Sequence, residues 1–230
     1  MAAGAMAAGY LLARAWAVRY GVDGDKFDGL ALLYLPTIVV GARIGYVIAT
    51  FSYFRENPWE IIRIDHGGLG SHGAIIAMVI VGWVSTRATK VRFWTMADAF
   101  GPVIPAAHIF VRIGNFANGE LYGLPTSLPW GIVFPGLDAP HHPSMLYEAL
   151  ASVLTLALAL WWAAHRRIEG EVFLKTMIAV SVVRILVDFT RFRGYDPFLG
   201  LMLTQWLALG AVLVCAGLLA VRRRMPAAML

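Results

Sequence analysis

The fold class this sequence predicts is an all-α integral membrane protein with about seven transmembrane helices, and three observations predict it. The first is composition. The chain has 230 residues, 59% of them hydrophobic and 14% charged, with a mean hydropathy of +0.68, too apolar for a water-soluble domain of this length. The second is pattern. The apolar residues come in long runs and not in period-two alternation, so the backbone satisfies itself as helices and not as a closed barrel. The third is charge. The net charge of +5 is dealt out in short stretches between the runs, which is a topology signal and not a nucleic-acid-binding face.

In order, the runs cover residues 2–19, 29–51, 68–86, 97–114, 144–164, 171–189 and 199–221, each near the roughly 20 residues a bilayer requires. The first starts at Met1 with no basic residue ahead of it, and reads as a retained helix and not a cleaved signal peptide. Arg14, Arg19 and Lys26 lie near its end. Arg87, Lys90 and Arg92 follow the third run, Arg166 and Arg167 the fifth, and Arg222, Arg223 and Arg224 the seventh. On the other side, Arg55 and Arg63 are diluted by Glu56, Glu60 and Asp65, and residues 115–143 contain no Lys or Arg. Arg191 and Arg193 are the one contrary pair. The positive-inside rule then places the N-terminus outside and the C-terminus in the cytoplasm. Residues 115–143 include "LPWGIVFPGLDAPHHP". Their prolines and glycines exclude a long helix, so this segment reads as a small, partly extended, outward-facing cap between the fourth and fifth helices. Residues 1–230 are thus expected to form a single transmembrane domain with 115–143 as its cap.

Three arginines fall inside or at the edge of the runs: Arg43 in "GARIGYVIA", Arg112 in "FVRIGNF" and Arg184 in "SVVRILVDF". An arginine at a helix end can snorkel to the headgroups. Arg43, however, is several residues from an end, and Arg112 is followed by Asn115, Asn118 and Glu120. Polar groups at that depth are costly and mark a site. Arg184 precedes Asp188 by four residues, the spacing of an ion pair within one helix. Several arginines at the outer half of a membrane protein suit phosphate. Guanidinium pairs its N–H groups with phosphate oxygens and keeps its charge when desolvated. The abundant phosphate at that depth is a phospholipid headgroup.

The third run opens with "DHGGLGSHGAIIA". Its glycines permit close approach of another backbone or a lipid chain. His72, with His66 six residues before it, can take a proton near neutral pH or simply pack at a helix end. The fifth run opens with "HHPSMLYEAL". Pro143 and Ser144 suit a helix start, while Tyr147 and Glu148 sit just inside hydrocarbon, where they can order an arginine or a headgroup. His108, His141, His142 and His165 have weaker cases. No His, Cys, Asp or Glu set has metal-ligand spacing, so no metal or other cofactor is expected. Cys215 is the single cysteine, which rules out a disulfide within the chain.

Taken together, "GARIGYV", "HGGLGSHGA", "RIGNFANGELYG", "PWGIVFPG", "HHPSMLYEAL" and "VRILVDFTR" resemble the prolipoprotein diacylglyceryl transferase family. They occur in order over most of residues 30–195. "RIGNFANGELYG" is highly specific, and the shorter pieces carry weight only beside it. The resemblance implies a seven-helix enzyme of the bacterial cytoplasmic (inner) membrane with a periplasmic catalytic centre. It would move the diacylglyceryl group of phosphatidylglycerol to the lipobox cysteine in the signal peptide of a preprolipoprotein, releasing glycerol phosphate. By motif, Arg112 and Arg184 match the family's essential arginines and His72 its histidine, proposed as a base. Asn115, Asn118, Glu120 and Gly123 form the polar edge of its central motif. Asp188 stands where the family has a glutamate, and Arg43, Tyr147 and Glu148 join these residues as expected substrate contacts.

Two rival classes use the same residues. A phospholipid transporter or scramblase also needs intramembrane arginines, but the two halves of the chain show no matching pair of broken helices. An inactive homologue that only binds lipid or lipoprotein precursors is the other. Lipid flux without lipid consumption marks the first, and failure to complement a transferase-depleted strain marks the second.

Overall fold

The computed structural model describes residues 2–64, 67–68, 71–191 and 198–225. Every regular element among them is helical: α1 (Ala2–Arg19), α2 (Gly24–Ala49), α3 (Phe51–Glu56), a 3-10 turn (Pro58–Ile62), α4 (Ser71–Thr89), α5 (Phe93–Phe100), α6 (Val103–Ala117), α7 (Ser144–Ala164), α8 (Glu171–Asp188) and α9 (Leu203–Arg224). A helix stands at each of the seven places the apolar runs predict. Among the described residues, four stretches are long and apolar enough to cross a membrane: Gly24–Ala49, Phe93–Ala117, Ser144–Ala164 and Leu203–Arg224.

The boundaries shift for local reasons. The second helix begins at Gly24, ahead of its apolar run, because the Asp23 carboxylate accepts the Lys26 amide N–H at 3.0 Å and so satisfies one of the free donors of the first turn. The fourth apolar run is two helices. Pro102 has no N–H to offer a continuing helix, and Gly101 closes a turn by donating to the Asp98 carbonyl at 3.1 Å.

The chain divides into two compact units, Ala17–Met96 and Met1–Trp16 with Ala97–Leu230. In the first, α2 and α4 cross on small residues. A Cβ added to Gly41 would lie 2.2 Å from the Ala77 Cβ, and one added to Gly73 would lie 2.1 Å from the Gly41 carbonyl oxygen and 2.7 Å from the Gly45 Cα. Gly41 and Gly45 on one helix and Gly73 and Ala77 on the other follow the small-xxx-small spacing that lets membrane helices approach backbone to backbone.

In the second unit α6 packs on α7, α7 on α8 and α8 on α9. The start of α8 has no cap from its own sequence, since Gly170 precedes it. Asp98, fully buried on α5, supplies one from outside: its carboxylate accepts the Gly170 N–H at 2.7 Å and the Phe173 N–H at 3.0 Å and pairs with Arg166 at 3.2 Å. Arg223 near the end of α9 pairs with Glu171 at 3.2 Å. Residues 118–143 are irregular, with isolated antiparallel pairings of Gly123 with Arg191 and of His141 with Pro125 and Ile132.

Candidate active site

Arg112 lies on α6, Glu148 in the second turn of α7, Arg184 and Asp188 on the last turns of α8, and Arg191 just beyond α8. Packing α6, α7 and α8 side by side brings them together. Glu148 has no solvent exposure, and Arg112 is 8% exposed. Glu148 Oε1 accepts Arg184 Nη1 at 3.2 Å. Its Oε2 accepts Arg191 Nη2 and lies 2.6 Å from Arg112 Nε. Arg184 Nε donates to Asp188 Oδ2 at 3.1 Å, and the Thr204 hydroxyl on α9 donates to the same oxygen at 2.6 Å. Three guanidiniums thus surround two buried carboxylates.

The cluster is not saturated. Arg112 Nε faces Glu148 without the alignment of a hydrogen bond. Arg191 Nε lies 3.6 Å from Asp188 Oδ1, and all three of these atoms other than Glu148 are buried without a hydrogen-bond partner among the described residues. Buried polar groups are normally satisfied, so two N–H donors that have ion-pair neighbours but no aligned hydrogen bond, in a net positive cluster, are groups that an oxyanion can engage. Burial draws the Arg191 guanidinium below its ordinary value, the Glu148 charge opposes that, and the neighbouring Arg184 and Arg112 act in the direction of burial.

A chain of side chains leads outward from Arg112. Its Nη1 donates to Asn115 Oδ1 at 3.1 Å. Asn115 Nδ2 donates to Glu120 Oε2 at 3.2 Å, and Asn118 Nδ2 to Glu120 Oε1 at 3.4 Å. Gly119, with φ +68°, turns the chain so that Glu120 folds back on the end of α6. Gly123 is a contact between backbones. Its N–H donates to the His142 carbonyl at 2.7 Å, and a Cβ there would lie 2.2 Å from the Thr190 carbonyl oxygen and 2.4 Å from Ser144 Oγ. Tyr147 points into the irregular segment, where its hydroxyl accepts the Trp130 indole N–H at 2.8 Å and lies 3.2 Å from His142 Nδ1.

The remaining predicted residues belong to the other unit. Arg43 is buried, and its guanidinium is engaged by backbone. It donates to the carbonyls of Ile61 at 2.9 Å, Gly68 and Arg63 at 3.0 Å, and also to those of Gly67 and Glu60, with the Tyr46 and Phe54 rings 5.9 and 5.2 Å from its centre. His72 is in the first turn of α4, its side chain outside the described parts. His66 lies outside the described residues. No group of three His, Cys, Asp or Glu that could hold a metal occurs among the described residues.

The residue sequence reasoning missed is Arg191, read there as a topological exception. The signal was present: Arg184, Asp188 and Arg191 are spaced at i, i+4 and i+7, one face of a helix.

The same chain matches the model of one protein family, described as prolipoprotein diacylglyceryl transferase, over residues 1–221. Similar curated proteins carry the name phosphatidylglycerol–prolipoprotein diacylglyceryl transferase. One from Nitratidesulfovibrio vulgaris (Miyazaki F) is 38% identical over 84% of this chain and 73% of its own length. One from Bordetella parapertussis is 38% identical over 82% and 75%. One from Solidesulfovibrio magneticus is 36% identical over 96% and 86%.

Proposed function

The chain belongs to the prolipoprotein diacylglyceryl transferase family, and from that premise we propose that it is a phosphatidylglycerol–prolipoprotein diacylglyceryl transferase. It transfers the diacylglyceryl group of phosphatidylglycerol to the lipobox cysteine of a preprolipoprotein signal peptide and releases glycerol phosphate. The observation that carries this reading is the set of three arginines held around two buried acids, two of their N–H donors without an aligned hydrogen bond, beside the "RIGNFANGELYG" motif.

The chemistry needs little from the protein beyond placement and charge. The cysteine sulfur attacks the terminal glyceryl carbon that bears the phosphate. A sulfur–carbon bond forms, the carbon–oxygen bond breaks, and its electron pair leaves on the phosphate oxygen. Arg112 and Arg184, with Arg191, take the phosphate charge. Asn115, with Asn118 and Glu120, holds the headgroup, and Tyr147 and Asp188 orient the groups around it. The thiol proton passes to His72 or to Glu120. With arginines in the electrophilic role, transfer should persist in EDTA; loss of activity that zinc or magnesium restores would contradict this mechanism.

The protein is a helical, multi-pass protein of the inner membrane. We read residues 1–230 as one catalytic domain with seven spans, the N-terminus outside, the C-terminus cytoplasmic and residues 115–143 as a periplasmic cap. The first experiment is complementation of a strain depleted of its own transferase, followed by transfer to a lipobox peptide by purified protein. Failure of both, with the protein inserted and folded, would remove the enzymatic reading and leave a lipid-binding homologue. Lipid flux in proteoliposomes without consumption of phosphatidylglycerol would favour a scramblase.

A further inference from the structure

Glu148 differs in kind from the other residues around the arginines. It is an anion with no solvent exposure, and both its oxygens are occupied by guanidiniums from three separate places: Arg112 on α6, Arg184 on α8 and Arg191 beyond it. A carboxylate so placed repels a phosphate and cannot serve as its ligand. Yet without it three like charges would face one another in a poorly solvated site, with only Asp188 to hold them. The net charge of the group is +1, from three arginines against Glu148 and Asp188.

We propose that Glu148 is a positioning residue: a resident anion that keeps Arg112, Arg184 and Arg191 converged while the site is empty and limits the charge they present to phosphate. The proposal rests on the reading that these arginines receive the phospholipid phosphate. A phosphodiester carries one negative charge and brings the group to zero. When the carbon–oxygen bond breaks, the leaving phosphate monoester gains a second negative charge, and the group becomes −1. The arginines still meet the charge that develops during the step, but Glu148 now repels the product. Without the Glu148 charge, the group would be +2 and would match the dianionic product, so that phosphate would be retained. The absence of aligned hydrogen bonds at Arg112 Nε and Arg191 Nε fits this role, because these donors are held in place by charge and remain able to turn to a phosphate oxygen.

The test uses the full-length protein in detergent with phosphatidylglycerol and a lipobox peptide, and inorganic phosphate as the competing anion. Glu148→Gln keeps the shape and removes the charge. Its kcat is expected to fall tenfold or more, while the phosphate concentration giving half inhibition falls about tenfold. A residue that served only to pack would lose activity with phosphate inhibition unchanged or weaker, and that result overturns the proposal. Glu148→Ala gives a second route should Gln not fold. Formate, a carboxylate small enough for the vacated space, should raise its Tm and restore turnover in a saturable way, whereas formamide should not. No effect of formate on either quantity also overturns it. If the arginines do not carry phosphate at all, the wild-type enzyme will show no inhibition by phosphate while formate still raises the Tm of Glu148→Ala, so the two failures are distinct.

Discussion

Arg184 and Asp188 stand one turn apart on α8, with Nε 3.1 Å from Oδ2, and Thr204 on α9 donates to that same oxygen at 2.6 Å. The acid therefore fixes the rotamer of the arginine and is itself fixed by the next helix. Asp188→Asn should leave insertion intact and lower kcat/KM by roughly ten- to a hundredfold, since a hydrogen bond to a charged group contributes about 1.5–3 kcal/mol. A variant with unchanged kcat/KM would show that Glu148 alone orients Arg184.

Arg112→Ala should abolish transfer with the protein still inserted. A desolvated arginine on a phosphate stabilises the transition state by several kcal/mol, roughly a hundredfold or more in rate. Lysine at this position should rescue poorly, because it brings charge without the planar fork that reaches both Glu148 and Asn115. Near-normal turnover in the alanine variant would place the phosphate elsewhere.

Arg43 gives the opposite expectation. Its guanidinium donates to five backbone carbonyls of residues 60–68. Lysine offers three N–H donors, so Arg43→Lys should lower the thermal stability of the purified protein by about 2 kcal/mol or more, with phosphate inhibition unchanged. An unaltered Tm together with weaker use of phosphatidylglycerol would instead make Arg43 a lipid ligand.

Gly123→Ala should destabilise. Its Cβ would sit within 2.2–2.4 Å of a backbone oxygen and of Ser144 Oγ, and forced overpacking costs about 1–3 kcal/mol. A thermal melt equal to wild type would show that the segment can move aside.

For His72 the informative quantity is a rate ratio. His72→Gln keeps a hydrogen-bonding side chain but cannot accept the proton, and a general base contributes a factor of about 10²–10⁴. The thiol, with a pKa near about 8.5, ionises unaided as pH rises. If His72 is the base, the wild-type to mutant ratio should therefore fall between about pH 6.5 and pH 9. A ratio that stays flat moves the role to Glu120 or to the substrate's own phosphate.

The places of the helices were legible because each apolar run is long, and length and apolarity are local properties. The break at Gly101–Pro102 was written in the sequence as a proline and was still read through, because the run on both sides is apolar. The site was legible as far as single residues announce themselves: Arg112 and Arg184 are conspicuous in apolar surroundings, and Asn115 and Glu120 follow in one motif. What the sequence could not express is who pairs with whom. Glu148 reads in the sequence as a group just inside hydrocarbon that can order an arginine or a headgroup, with no sign of which arginine. Only the packing of α7 between α6 and α8 reveals it as the shared partner of three arginines. Arg191 was hidden for a related reason. Counted as a loop charge it spoke about topology, whereas counted along the helix from Arg184 it belongs to the site.

The grip of Asp98 on the first amides of α8 fixes that helix lengthwise at its start, like a rod held at its base. The rod is 18 residues long, about 27 Å at a rise of 1.5 Å per residue, and Arg184 and Asp188 ride near its far end. An anchored rod cannot slide lengthwise, and its far end is held sideways by Glu148 on α7 and Thr204 on α9, so the hold at its start sets the height at which Arg184 meets these partners. A change at Asp98 would therefore be felt at the far end as play in the axial position of Arg184, and damage to catalysis could originate a whole helix length from any reacting atom.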